Sequence, residues 1–202
     1  MVSRKSFNFY LVFFIFLFTL SVSAQSDSVF YSFHQNRMNI NETAMLVLGG
    51  WATGNILIGT YGNFKAKGEA KYFQQFNAAW NIVNLGIAAF GYLNAVNSDP
   101  ASMTNLEILN DYNSIQSFLL LNAGLDVAYI MTGFYLKEKA KNSSSAERLR
   151  GYGNSLLLQG GFLLLFDVAL YFIHQSNADI NLYPHLESFL AGGVGIGMSL
   201  KL

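Results

Sequence analysis

Residues 72–98, YFQQFNAAWNIVNLGIAAFGYLNAVNS, run for 27 positions without a charge. A helix of that length exceeds the roughly 20 residues that cross a bilayer core. Yet this one carries Gln74, Asn77, Asn81 and Asn84. At 100° per residue the four amides fall within an arc of roughly 80°, one polar stripe on an otherwise apolar rod. Lipid offers an amide no partner, so the stripe must face protein or enclosed water. Other helices have to cover it.

The rest of the chain can supply them. Hydrophobic residues make up 52% and charged residues only 12%, and mean hydropathy is +0.30, the balance of a chain solvated largely by lipid. At 202 residues one domain is expected. Net charge is zero with no isolated basic cluster, which gives nucleic acid nothing to bind. The absence of cysteine excludes disulfides, zinc–thiolate sites and thiol catalysis.

Residues 1–24 read as a secretory signal peptide. Arg4 and Lys5 precede an apolar run, and Val22 and Ala24 stand at the small-residue positions before a cut at Gln25. The alternative is an uncleaved first span; the short apolar core and the small-residue end favour cleavage. Residues 25–42 form a polar periplasmic lead-in, with Asn39 and Glu42 spaced as a capping pair.

Four spans follow in a domain covering 43–178, at about 43–64, 72–96, 115–136 and 154–175. In the first, Gly50 and Gly54 form a G-x-x-x-G that would let a neighbouring helix approach closely. Residues 62–71 form a loop, Asp99-Pro100 stops the second helix, and Thr104-x-x-Glu107 and Ser144-x-x-Glu147 are capping boxes. The tail at 179–202 reads as extended or interfacial: its glycine-rich end is too short and too weak a helix former to span, and its GxGxG lacks the strand and helix of a dinucleotide site.

The fold class is therefore all-α: a polytopic membrane protein built as a four-helix up-down transmembrane bundle. Eight of the ten Lys and Arg beyond residue 24 lie between spans one and two or between spans three and four. That bias places those loops in the cytoplasm of a bacterial inner membrane and both mature termini in the periplasm. A cleaved signal peptide independently demands an outside N-terminus. Residues 46–61 laid on 120–135 match at Leu46/Leu120, Gly50/Gly124, Ile56/Ile130, Gly59/Gly133 and Tyr61/Tyr135. Asn77 falls on Gln159 and Trp80 on Phe162 with weaker support. The pattern is compatible with two parallel helix-hairpin repeats, and equally with chance similarity between apolar helices.

The segments MLVLGGWATGNILIG (45–59) and KYFQQFNAAWNIVNLGIAAFGYLNA (71–95) resemble an uncharacterised family of small helical membrane proteins from Gram-negative bacteria. The matching positions are Gly49 to Asn55 and Asn77, Trp80, Asn81 and Asn84. The resemblance implies a domain of unknown function and carries over no activity, cofactor or catalytic residue.

Candidate site residues are those that lipid would reject: Asn77, Asn81, Asn84, Asn122, Asp126, Gln159, Asp167 and His174. Asp126 and Asp167 fall near the middle of spans three and four, where a carboxylate is costly and therefore a functional candidate. The amides serve equally well as interhelical glue. His174 is expected at a wet interface, and His34 and His185 in solvated tails. No catalytic pair, phosphate loop, metal motif or cofactor motif is visible. The expected function is a non-catalytic membrane subunit or scaffold with a buried polar core. The alternative is a small transporter or proton or cation pathway through the intramembrane carboxylates. Its partners would be the lipid bilayer and a membrane protein or second copy.

Overall fold

A computed structural model describes the backbone over residues 4–192 and side chains over 28–187. It is all-helical, with α1 (Arg4–Lys65), α2 (Gly68–Asn97), α3 (Asn105–Lys139), α4 (Ala146–Asn181) and α5 (Tyr183–Gly192), and no strand among the described residues. Helices α1 and α2 form one hairpin and α3 and α4 the other; α2 packs on α4 between them, and α1 also touches α4. Three helical stretches, Ser28–Lys65, Asn105–Asn142 and Ala146–Glu187, are long and apolar enough to cross a membrane.

Several boundaries differ from the sequence expectation. Residues 25–42 are part of α1, because no Gly or Pro interrupts 25–48 and the inward pattern continues through Phe30, Phe33, Met38, Ala44 and Leu48. The Asn39/Glu42 cap is consequently not formed: the Asn39 carbonyl accepts from the Thr43 hydroxyl at 2.9 Å, an ordinary mid-helix contact. The loop expected at 62–71 shrinks to Ala66 and Lys67, and Gly68 restarts the chain at φ +58°, where a side chain would be strained. The Thr104–Glu107 box closes as expected, whereas Ser144 caps nothing and α4 starts after Ser145. Residues 183–192 are helical rather than extended. Pro184 explains the break before them, since proline fits the first turn of α5 but not the interior of a longer α4. Residues 1–3 and 193–202, including the rest of the tail, lie outside the described residues.

The two basic loops meet at one end of the bundle. Arg150 Nε donates to Glu69 Oε2 at 2.8 Å and Asn154 Nδ2 to Glu69 Oε1 at 2.7 Å. This basic end lies opposite an acidic end formed by Asp99 in the α2–α3 connection and by Glu107 and Asp111 at the start of α3.

Glycines bring the helices close, but not those of the G-x-x-x-G. A Cβ on Gly50 or Gly54 would meet nothing within 4 Å. On Gly59 it would sit 2.7 Å from the Gln74 carbonyl oxygen; on Gly133, 2.8 Å from that of Gly153; on Gly151, 2.5 Å from that of Glu69. Backbone meets backbone at these crossings, and a methyl group cannot be accommodated without moving a helix. Gly151→Ala should therefore lower stability by about 1–3 kcal/mol, and Gly50→Ala by no more than about 0.5 kcal/mol. Unfolding of the purified variants in mixed micelles measures both; equal effects would contradict the packing described.

Candidate functional site

The amide stripe faces inward, as Asn77, Asn81 and Asn84 are all buried. Its centre is a closed ring of hydrogen bonds across three helices. Trp51 Nε1 donates to Gln159 Oε1 at 3.1 Å, and Gln159 Nε2 donates to Asn77 Oδ1. Asn77 Nδ2 donates to Asn55 Oδ1 at 2.8 Å, and Asn55 Nδ2 returns to the Trp51 carbonyl at 2.8 Å. Asn81 Nδ2 donates to the Asn77 carbonyl at 2.8 Å, and Asn84 Nδ2 to Asn81 Oδ1 at 3.3 Å. The Trp51 ring lies flat on Phe162, centroids 3.8 Å apart. Asn55 and Trp51 were absent from the expected site; an intraspan asparagine four residues after a tryptophan was the available signal.

Toward the acidic end, above this ring, the four helices enclose a cavity of about 380 Å³. Asn84, Asn122, Asp126 and Asp167 all line it, so three helices deliver the expected polar residues to one chamber. Asp126 and Asp167 are both buried and line the same cavity. Asp126 Oδ2 has no partner. Gly160 sets this geometry: a Cβ there would lie 3.0 Å from the Asp126 carbonyl oxygen, so its absence lets α3 settle against α4 at that turn. Trp80 meets Tyr129 edge to face at 4.8 Å, bridging α2 and α3 at the end of the cavity nearest the ring.

His174 is not in the chamber and is not wet. It is fully buried, and its Nε2 lies 2.9 Å from Asn41 Oδ1. His34 is likewise buried rather than solvated. It belongs to a second polar cluster, at the acidic end, that sequence reasoning missed. There Arg37, fully buried, pairs with Asp111 at 2.8 Å, contacts His34 Nδ1 at 3.2 Å and lies over the Phe33 and Tyr112 rings. Tyr112 Oη donates to Gln175 Oε1 at 3.0 Å beside it. The i, i+3 spacing of His34 and Arg37 was the only hint, and it carries weight only once α1 is known to continue there. Among the described residues no group of three or more His, Cys, Asp or Glu gathers as metal ligands would.

Fold and site together define an all-helical bundle with a polar interior, an apolar exterior and three helices of membrane-crossing length. Within that class, the chain belongs to a family of unknown function (DUF6992), whose model matches residues 47–168. No curated protein and no solved structure matches it. The matched region contains the amide ring and both aspartates.

The ring predicts strong coupling. Asn77→Leu orphans groups on Asn55 and Gln159, and should cost about 1–3 kcal/mol. Gln159→Leu added to it should cost less than the sum, because both ends of one bond are then removed together. A double-mutant cycle on unfolding reads this; strict additivity would mean that the ring is not an energetic unit.

Proposed function

We propose that the protein is a four-span integral membrane protein of the bacterial inner membrane, a non-catalytic subunit or scaffold organised round its polar core. The carrying observation is the amide ring, in which every member bonds to another member and none is left to act on a substrate. The exterior supports lipid solvation. Leu57, Ile58, Phe90, Leu93, Leu120, Leu121, Phe134, Leu165 and Phe172 are among many large apolar side chains left exposed, far more than a soluble monomer tolerates.

Helix α2 is the fourth span on this reading, although it is not among the three stretches that length and composition alone single out. Averaging hydropathy counts its amides, but those are covered by α1 and α4. Lipid meets Ile82, Val83, Ile87 and Phe90 instead. At 1.5 Å per residue its 30 residues reach about 45 Å, ample for a core of about 30 Å. Because both basic loops lie at one end of the bundle, the positive-inside bias orients the whole bundle, with that end cytoplasmic and the acidic end periplasmic. An N-terminal signal peptide agrees with that orientation.

The second reading, a proton or cation pathway, is favoured by the Asp126–Asp167 pair. A pathway needs a continuation toward the basic end, and the closed amide ring occupies that route. The chamber therefore has a closed floor.

The natural absence of cysteine makes the topology directly testable. In intact cells made permeable only at the outer membrane, Ala101→Cys should react with an impermeant maleimide. Ser143→Cys should react only after the inner membrane is opened. The reverse pattern would overturn the orientation. Purified protein in liposomes should carry no proton or sodium flux above that of empty vesicles, and co-purification should recover a membrane partner or a second copy. Flux abolished by Asp126→Asn would replace the scaffold by the pathway.

A further inference from the structure

The chamber above the amide ring is more specific than a polar core requires. Two buried carboxyl groups line it, and none of its lining residues is Lys, Arg or His. Asp126 lines the cavity, and its Oδ2 is buried without a hydrogen-bond partner. A buried acceptor without a donor is expensive, and a donor from outside the chain would satisfy it. Trp80, Phe118, Tyr129 and Phe166 add aromatic rings to the same wall, the usual complement to carboxylate in ammonium recognition.

We propose that this chamber binds a small organic monocation, a protonated amine carrying an apolar body, which enters sideways from the lipid between α2 and α3. The proposal rests on the membrane reading above and names the ligand class of the closed-floored site.

Charge sets the valence. Two carboxyl groups that share one buried cavity repel each other's charge and do not both stay ionised, so the chamber presents at most one negative charge and is matched by one positive charge. The walls set the chemistry. They are mainly apolar and aromatic around the two carboxyl groups, which suits a cation that carries an apolar body. A cavity of about 380 Å³ lies at the small end of the range for ligand pockets, roughly 300–1,000 Å³. The ammonium would donate to Asp126 Oδ2, and the apolar body would lie against the rings.

The route follows from what is closed. Toward the basic end lies the amide ring. Toward the other end, one turn along α1 from the chamber residue Asn41, stands the buried Arg37 guanidinium, which repels a cation. Sideways, α2 and α3 scarcely touch, and Val83, Ile87 and Phe118 stand exposed at the cavity's edge.

The test uses the full-length protein in nanodiscs, with 2-phenylethylamine as the probe and 2-phenylethanol as its uncharged analogue. The amine should raise the thermal unfolding midpoint saturably and perturb Trp80 fluorescence at a concentration at least tenfold below that of the alcohol. Asp126→Asn or Asp167→Asn should weaken this at least tenfold. So should Val83→Trp, which fills the mouth from an exposed position and leaves the carboxyls untouched. Each variant's unfolding without amine shows that it is folded. Equal response to amine and alcohol would overturn the proposal, as would stabilisation by sodium or potassium chloride with none by the amine, or an amine effect unchanged in all three variants. Cysteine labelling separates the two claims: a silent chamber in a correctly oriented protein removes the ligand and leaves the scaffold.

Discussion

The contact between Gln159 and Asn77 joins the two hairpins at a point where neither water nor lipid can substitute for it. An amide in that position is either bonded to its opposite number or orphaned, and an orphaned amide is costly in a low-dielectric interior. The bond therefore does more than add its own modest energy. It fixes the register of α4 against α2, because sliding either helix by one residue would rotate one amide out of the seam by about 100°. Trp51 and Asn55 then bring α1 into the same register through the same two side chains. Asp167 lies two turns beyond Gln159 on α4, and Gly160 lets α3 bring Asp126 opposite it. The position of the chamber is thus a consequence of the seam.

The hairpins share more than a direction. Residues aligned by the faint repeat behave alike in space: Gly59 and Gly133 each lie under a facing backbone, while Gly50 and Gly124 each face nothing. Trp80 meets Tyr129 across α2 and α3, while Phe162 meets Trp51 across α4 and α1, although Tyr129 aligns with Asn55 and not with Trp51. Asn77 and Gln159, themselves aligned, meet each other. The chemistry is not symmetric, however. The first hairpin supplies the amides at 55, 77, 81 and 84, and the second supplies both acids. The interior thus draws most of its amides from the first hairpin and both acids, beside Gln159, from the second.

What could be read from the sequence was what depends on the membrane-depth environment of single helices. An amide stripe announces its own inward face, and two lone acids in apolar spans announce a shared interior; both are local in sequence. The contacts that depend on pairing were hidden. Gly50 and Gly54 have the more familiar spacing, yet Gly59, Gly133, Gly151 and Gly153 are the ones under facing helices, because the crossing point is set by register and not by glycine content. The extension of α1 to Ser28 and beyond was missed because polar residues between 25 and 42 resemble a lead-in. They are polar because they cover the acidic end of the bundle, where Arg37, His34 and Asn41 find partners on α3, on α4 and beside the α2–α3 connection. A buried arginine in a segment that looks solvated cannot be recognised until its partner Asp111, 74 residues away, is brought beside it.

That buried arginine also gives the interior its direction. The chamber has one neutral neighbour, the amide ring, and one positive neighbour, the Arg37 cluster. Asp111 balances Arg37 in number but is itself half exposed, with its side chain at 47% against 1% for the arginine. Solvent screens the carboxylate far more than the guanidinium, so the field felt inside the bundle is weighted to the positive side. A cation moving along the axis from that end would climb against it, while the two aspartates hold their negative charge deeper, beyond the obstacle. An interior that attracts cations at its centre and repels them at its axial entrance is poorly arranged for conduction. It is suited to retaining a ligand that arrives through the side, where the barrier is a parting of two apolar helices and carries no charge.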